Sequence, residues 1–312
     1  MKQIFPRPLQ KGDTIAILSP ATTVKQEYVE GAEERLKKLG YKVKLMPSVL
    51  GPADGSYASS MECRLKDLKD ALEDNNIRAI LCARGGYGAV HLIDKIDTEM
   101  LHNDPKWIIG YSDISALHAM MQHAGIASIH APMAKHLTIE PDDDRSVAAL
   151  MGILEGDESM TYEVKSHESN VVGEAHGVLR GGNLAVLAGL IGSPYDILTP
   201  AEGEDVILFI EDISEAIYST ERMLYLLHLN GALSRIKGLI VGQFTETKAD
   251  KNFESTHQMI RHRLSEWGLD RVPVAFDFPV GHVSDNLPMV EGAQATLTVS
   301  NQGVTLLQKL RK

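Results

Sequence analysis

A serine stands at a sharp corner between a strand-like and a helix-like segment. Residues 108–117, IIGYSDISAL, run from an apolar segment through Gly110 to Ser112 and then into a helical pattern. At such a corner a serine hydroxyl faces solvent, while the helix behind it supplies free N–H groups and a positive dipole end. These features suit a nucleophile whose reaction develops an oxyanion. The second glycine of the GxSxG elbow is missing, and Ser112 or Asp113 can equally serve as a helix N-cap, so both roles stay open.

A serine nucleophile needs a base, and the base needs an acid that orients it. Glu211 directly follows the apolar run DVILFI, and His282 follows the segment VPVAFDFPVG in a Gly-His turn. Both positions are strand ends, where open parallel sheets bind ligands. Each residue also fits a simpler role, as a solvated strand terminus or as a loop histidine bonded to local backbone. Other histidines fall within helical patterns, namely His118, His123, His228, His257 and His262.

A glycine-rich loop, RGGYG at residues 84–88, also follows a strand-like segment. Adjacent glycines allow backbone N–H groups to approach a phosphate or an oxyanion closely. The spacing matches neither GxGxxG nor the P-loop, so nucleotide binding is poorly supported. Arg84 is a candidate partner for a substrate carboxylate, and a plain turn with an exposed arginine is the other interpretation.

Neither a metal site nor a cofactor is predicted. The chain has two cysteines, Cys63 and Cys82, and no CxxC pair; Cys82 ends an apolar run and is expected to be a buried thiol. His130 and His136 flank Pro132 without an HExxH motif or an accompanying acid cluster. A core or supporting role is therefore favoured for His130.

The pattern of elements predicts an α/β protein with two domains. In the first half, strands are predicted at 14–20, 41–46, 77–83, 106–110 and 127–133, and helices at 24–39, 61–74 and 113–124. This alternation implies crossovers and an open, mostly parallel sheet flanked by helices. The polar texture near 160–172 indicates a boundary, giving domains 1–165 and 166–312. In the second half, strands, three helices and a final hairpin predict a second α/β domain with a mixed sheet.

Composition restricts the partners. The net charge of −11 makes nucleic acid an unfavourable partner, because an acidic surface repels phosphate backbones. The N-terminal segment MKQIFPRPLQKGD has no apolar core of a signal peptide, and no stretch approaches the roughly 20 apolar residues of a membrane helix. These observations predict a cytoplasmic protein with no membrane partner.

Seven motifs occur in order along the chain: ARGGYG, IIGYSDISALH, IHAPM, LRGGNL, LFIEDISEAIYSTERML, GLIVGQF and FPVGHVSDNLPMVEGAQATL. Together they closely resemble the LD-carboxypeptidase family of serine peptidases, which includes the microcin C self-immunity peptidases. The resemblance covers nearly the whole chain, from KGDTIAILSP to the final hairpin, and an ordered set is far more specific than any one motif.

The resemblance implies a Ser-His-Glu triad. Ser112 of GYSD is then the nucleophile, Glu211 of LFIED orients the base, and His282 of PVGH is the base. It also implies oxyanion donors at the backbone N–H groups of Gly86 and Asp113. Family members carry the serine in an N-terminal domain and the acid and histidine in a C-terminal domain, with the site in the cleft between them, and homodimers are usual.

The function that the resemblance implies is removal of the terminal D-alanine from murein tetrapeptide stems. Arg84 is the candidate for binding the substrate carboxylate. One alternative is an amidase of the microcin-immunity type, which an aromatic side chain placed to stack on a base would favour; Trp107, in a strand pattern, and Trp267, at a helix end, do not indicate one. The other alternative is a non-enzymatic two-domain protein that binds peptides or sugars.

Overall fold

The computed structural model describes residues 3–311, which form two compact units. The first unit ends at Glu158 and also includes Leu287–Val290; the second comprises Ser159–Asn286 and the chain from Glu291 onward. The division predicted from the sequence, at residue 165, lies at the end of a strand of the second unit.

The strands are β1 (Thr14–Leu18), β2 (Lys42–Leu45), β3 (Ile77–Cys82), β4 (Trp107–Gly110), β5 (Ser128–His130), β6 (Ser159–Lys165), β7 (Gly173–Asn183), β8 (Val206–Ile213), β9 (Gly238–Thr245), β10 (Val274–Ala275), β11 (Met289–Glu291), β12 (Gln294–Val299) and β13 (Gly303–Lys309). The α-helices are α1 (Gln26–Lys38), α2 (Pro47–Leu50), α3 (Met61–Glu73), α4 (Val90–Ile93), α5 (Ser115–His123), α6 (Ala134–Ile139), α7 (Arg145–Glu155), α8 (Leu184–Ala188), α9 (Ile217–Leu229) and α10 (Thr256–Glu266). Two short 3₁₀ helices span Thr98–His102 and Ser112–Ile114.

The first sheet has six strands in the order β11-β5-β4-β3-β1-β2. The pairs β1·β2, β1·β3, β3·β4 and β4·β5 are parallel, and every residue of β4 and β5 is buried. Continuous apolar runs are typical of parallel strands that helices cover on both faces. The predicted open, mostly parallel sheet is therefore confirmed. Because β3 and β4 are parallel neighbours, the glycine loop after β3 and the serine corner after β4 emerge at the same edge.

The second sheet has seven strands in the order β10-β9-β8-β7-β12-β13-β6. Strands β7 to β10 are parallel, whereas β12 pairs antiparallel with β7 and β13, and β13 pairs antiparallel with β6. The predicted mixed sheet is confirmed, including the final hairpin, β12–β13. Glu211 lies near the carboxyl end of β8, within this parallel part.

Two regions differ in detail from the predicted elements. The stretch between residues 140 and 175 contains the largely buried helix α7 and the strand β6, whose alternating burial leaves polar side chains on its outer face. The segment VPVAFDFPVGH, residues 272–282, is predicted as a strand that leads into a loop, and its strand part is regular only over Val274–Ala275. Among the described residues, 3–311, no helix is both long enough and apolar enough to span a membrane.

A buried carboxylate, Asp212, joins β8 to the start of α8. Its oxygens accept hydrogen bonds from the Asn183 side chain, from the backbone N–H of Ala185 and from that of Ile213, each at 2.9 Å. Burial, together with the neighbouring charge of Glu211, raises the pKa of Asp212 from 3.8 to about 6. The folded state therefore binds this proton more tightly than the unfolded chain.

This raised pKa predicts the direction in which stability changes with pH. Between about pH 4 and about pH 6 the folded state holds more protons than the unfolded state, so Asp212 stabilises the fold less as the pH rises through that window. We expect the free energy of unfolding of the wild type, relative to Asp212→Asn, to fall by about 1–3 kcal/mol from about pH 4 to about pH 7. Urea unfolding across this range measures it, with the exposed Glu202→Gln as control. Parallel curves for wild type and Asp212→Asn would contradict the assignment.

Gly181 permits the close pairing of β7 with β8. Its φ is +154°, and a Cβ atom there would overlap the backbone carbonyl oxygen of Phe209 on β8. We expect Gly181→Ala to lower the free energy of unfolding by about 3–5 kcal/mol, because overpacking adds to the backbone cost. The control is Gly203→Ala, at φ +79° with open space around the added Cβ, for which we expect about 1–2 kcal/mol. Chemical denaturation measures both, and equal losses would show that the contact with Phe209 is unimportant.

Candidate active site

Ser112 has a strained backbone at the corner between β4 and α5. Its φ is +65°, in the left-handed region, whereas Tyr111 before it is extended. A non-glycine residue in this conformation costs about 1–3 kcal/mol and persists only where its surroundings enforce it. The residue at the N-cap of α5 is Ile114, and no side chain caps that helix or the short 3₁₀ helix before it. The N-cap role that the sequence left open for Ser112 and Asp113 is therefore not observed.

The glycine loop after β3 packs directly against this serine. A Cβ atom on Gly85 would lie 2.9 Å from the Cβ of Ser112 and 3.1 Å from the backbone nitrogen of Asp113. The Thr22 hydroxyl donates a hydrogen bond of 2.6 Å to the Gly85 carbonyl, which holds the loop from its other side. Any side chain at position 85 would push the loop away from the serine.

Gly86 and Asp113, predicted as oxyanion donors, lie in this same assembly. Gly86 has φ +103°, and a Cβ there would overlap the side chain of Thr22. The Asp113 carboxylate accepts a 2.8 Å hydrogen bond from the backbone N–H of Ala89, just beyond the loop. Burial raises the pKa of Asp113. The side chain of Asp113 thus ties the glycine loop to the serine corner, while its backbone N–H follows Ser112.

Arg64, on α3, joins three loops of the first unit. Its fully buried guanidinium donates to the carbonyl oxygens of Pro20 at 2.7 Å, Ser59 at 3.1 Å and Gly88 at 3.1 Å. The acceptors follow β1, precede α3 and end the glycine loop, so one cation fixes the backbone around the serine. Arg84 is exposed, and its Nη1 donates to the Thr23 carbonyl at 2.9 Å.

Sequence reasoning missed two supporting residues of this assembly, Thr22 and Arg64, and it named the glycine loop without giving Gly85 a role of its own. Arg64 lies in a helical pattern, where an arginine ordinarily indicates a solvated face. The doubled glycine of the loop was the available signal for Gly85, because adjacent glycines indicate close backbone approach.

In the second unit, Glu211 and His282 form a hydrogen-bonded pair. His282 Nδ1 lies 2.8 Å from Glu211 Oε2; the carboxylate is fully buried, and the imidazole side chain is 15% exposed. A neutral imidazole that donates from Nδ1 carries its lone pair on Nε2, which is the arrangement of a general base oriented by an acid.

Two local features of the chain produce this pair. The pairing of β8 with β9 shifts register between Ile210 and Asp212, so Glu211 lies at an irregularity, a feature that re-aims a side chain. Gly281, at φ +125°, brings the loop against the acid, since a Cβ there would lie 2.8 Å from Glu211 Oε2. The Asn286 side chain accepts a 2.9 Å hydrogen bond from the Gly281 N–H and holds the turn.

The structure thus groups the predicted site residues into two sets. Ser112, Gly86 and Asp113 belong to the first unit, and Glu211 and His282 belong to the second. Within residues 3–311, no three His, Cys, Asp or Glu side chains are arranged to hold a metal ion.

Models of known protein families match both units. The LD-carboxypeptidase N-terminal domain matches residues 15–131, and the LD-carboxypeptidase C-terminal domain matches residues 176–297. Ser112 and the glycine loop lie in the first matched region, and Glu211 and His282 lie in the second.

Curated proteins and solved structures agree with these matches. A probable murein peptide carboxypeptidase of Bacillus subtilis is 31% identical over 97% of this chain and 95% of its own. The murein tetrapeptide carboxypeptidase of Pseudomonas aeruginosa is 30% identical over 91% of this chain and 92% of its own. A crystal structure of muramoyltetrapeptide carboxypeptidase from Oxalobacter formigenes has a TM-score of 0.81 at 26% identity, covering 95% of this chain and 98% of that one. The microcin C7 self-immunity protein MccF, at 21% identity, shares the fold, with a TM-score of 0.86 over 98% of this chain and 99% of that one. The protein therefore belongs to the LD-carboxypeptidase family of serine peptidases.

Proposed function

We propose that the protein is an LD-carboxypeptidase that removes the terminal D-alanine from murein tetrapeptide stems with a triad of Ser112, His282 and Glu211. The observation that carries the mechanism is the left-handed backbone of Ser112, at φ +65° against the glycine loop. Left-handed non-glycine residues are costly and cluster at functional sites. Ser214, Glu246 and Asp277 share this conformation, and Ser112 differs from them in having the glycine loop packed against its side chain. The names of the Bacillus subtilis and Pseudomonas aeruginosa relatives support the murein substrate.

In this mechanism His282 takes the proton of Ser112 through Nε2 as the serine oxygen attacks the scissile carbonyl. Glu211, bonded to Nδ1, stabilises the imidazolium that forms. The N–H groups of Gly86 and Asp113 bind the oxyanion. His282 then protonates the amine of the leaving D-alanine. Water, deprotonated by His282, hydrolyses the acyl-enzyme and releases the tripeptide.

The proposed substrate also suggests how it is bound and which biological role the protein has. A carboxypeptidase must bind a free C-terminal carboxylate, and the exposed Arg84, beside the glycine loop, is the candidate cation for it. The family resemblance supports a homodimer, and recycling of imported wall fragments in the cytoplasm is the role that suits this specificity.

A second candidate function is an amidase that acts on an aminoacyl-nucleotide conjugate. One observation favours it: Tyr87, next to Gly86 in the glycine loop, is 56% exposed, and its ring centroid lies 6.4 Å from that of Tyr57. An exposed aromatic ring beside the serine provides a face for stacking on a nucleobase. The two tryptophans do not provide one, since Trp107 is buried in β4 and Trp267 stacks on His228 within the second unit.

The substrate assignment predicts a defined product. We expect the wild type to convert a murein tetrapeptide to the tripeptide with loss of one alanine, and Ser112→Ala to leave it intact, because the serine oxygen forms the acyl-enzyme. Mass spectrometry of the reaction measures both. Cleavage by both proteins would remove Ser112 from its role. An intact tetrapeptide with both proteins, together with hydrolysis of an aspartyl sulfamoyl adenosine analogue by the wild type alone, would support the amidase instead.

The acid–histidine pair makes a separate prediction. Glu211→Gln preserves the size of the side chain but removes the charge that stabilises the imidazolium, so we expect kcat to fall by about 10³–10⁴-fold with little change in KM. Steady-state release of D-alanine measures it. Glu163→Gln, at an exposed position of β6, is the matched control and should retain wild-type kcat. A Glu211→Gln enzyme within tenfold or so of wild type would rule out the orienting role.

A further inference from the structure

A fully buried histidine lies behind the serine corner, and the mechanism above does not use it. His118, on α5, is 0% exposed. Its Nε2 lies 2.8 Å from the carbonyl oxygen of Gly110, the last residue of β4, and its Nδ1 lies 2.9 Å from the hydroxyl of Ser128 on β5. One imidazole thus connects a helix with the ends of two adjacent strands.

These two partners determine which ring nitrogen carries the proton. A carbonyl oxygen only accepts, so Nε2 carries the hydrogen and donates to Gly110, and Nδ1 accepts from the Ser128 hydroxyl. Burial lowers the pKa of His118 to about 3. The ring is therefore neutral near neutral pH, in a single tautomer.

The Gly110 carbonyl belongs to the peptide group that leads through Tyr111 into Ser112. It accepts a second hydrogen bond, of 3.0 Å, from the backbone N–H of Ala131 after β5. Two donors from different elements thus fix this peptide plane. A Cβ on Gly110 would meet Ile114 Cγ1 at 2.9 Å, so the 3₁₀ helix that contains Ser112 packs too closely against the end of β4 for a residue with a side chain.

Hydrogen bonds therefore fix the chain both before and after the strained Ser112. Downstream, the Asp113 carboxylate binds the Ala89 N–H at 2.8 Å. Upstream, the chain is held at Gly110. Without the bond from His118, the Gly110 carbonyl would lose one of the two donors that fix its peptide plane, and rotation of this peptide would allow Ser112 to relax toward an ordinary φ.

We propose that His118 is a positioning residue for the nucleophile: the bond from its Nε2–H to the Gly110 carbonyl, with the tautomer set by Ser128, keeps Ser112 in the backbone conformation that attack requires. The inference rests on the proposed role of Ser112 as nucleophile. His118 acts through Gly110 and transfers no proton to the substrate.

The test compares two replacements of the imidazole. His118→Gln keeps a side-chain N–H that reaches the Gly110 carbonyl, whereas His118→Leu keeps bulk and removes the donor. Ser128→Ala leaves the imidazole but removes the hydroxyl that sets its tautomer. Met121→Ala, also fully buried on α5, is the control for loss of packing. The first readout is the rate at which a fluorophosphonate labels Ser112, measured by mass spectrometry of the intact protein. The labelling is done at a temperature at which circular dichroism shows that each variant is folded. The second is kcat and KM on murein tetrapeptide.

We expect His118→Leu to slow labelling and lower kcat by about 10–100-fold, because the serine oxygen is displaced, with KM within about threefold of wild type. His118→Gln should recover labelling to within about threefold of wild type, and Ser128→Ala should fall between the two. Met121→Ala should lower the melting temperature and leave labelling of the folded protein unchanged.

Wild-type labelling of folded His118→Leu would overturn the proposal, and so would equal losses for the Gln and Leu variants, since the donated hydrogen bond would then be irrelevant. If His118→Leu does not fold, slowed labelling of folded Ser128→Ala supports the proposal and unchanged labelling overturns it. A wild type labelled at Ser112 that leaves tetrapeptide intact refutes the proposed substrate, and the labelling rates still decide the role of His118.

Discussion

The left-handed backbone of Ser112 is the constraint on which the proposed active-site residues of the first unit depend. An L-residue adopts φ +65° only when neighbouring contacts offset its cost, and here those contacts come from every side. The glycine loop presses against the serine because Gly85 has no side chain. Asp113 binds the loop to the corner through Ala89, and Arg64 joins the loops that surround it. Together, these buried polar groups fix the backbone that presents the Ser112 hydroxyl.

The second unit shows a different way to position a catalytic group. Neither Glu211 nor His282 is itself left-handed; an irregularity in β8 and a glycine turn bring a buried carboxylate within 2.8 Å of an imidazole, and the left-handed residues of the adjoining segments are Ser214 and Asp277. Burying a carboxylate without water is costly unless a charged or hydrogen-bonding partner accompanies it. His282 is such a partner, and the charge of Glu211 in turn raises the pKa of the adjacent Asp212. Glu211 therefore affects two neighbours, His282 in the loop after β10 and Asp212 on β8.

Much of the fold can be predicted from short-range patterns in the sequence. Apolar runs that alternate with helical periodicity predicted the parallel sheet, and the rule that ligands gather at strand ends selected Ser112, Glu211 and His282 without knowledge of their contacts. The elements near residues 140–175 were missed because polar segments flank the apolar helix α7 on both sides, and because β6 exposes alternate polar side chains, as a linker does. Arg64 was missed because two of its three carbonyl acceptors, those of Pro20 and Gly88, are distant in sequence. Contacts between residues that come together only in the folded protein leave no periodic pattern in the sequence.

The central claim is that Ser112 is a nucleophile activated by the His282–Glu211 pair. Its most direct test is peptide mapping of the protein after treatment with a fluorophosphonate, in the wild type and in His282→Gln. The account predicts one adduct, on the peptide that contains Ser112, and little or no adduct in His282→Gln, because the unassisted hydroxyl is a poor nucleophile. An adduct on a different residue, or equal labelling of Ser112 in both proteins, would contradict it.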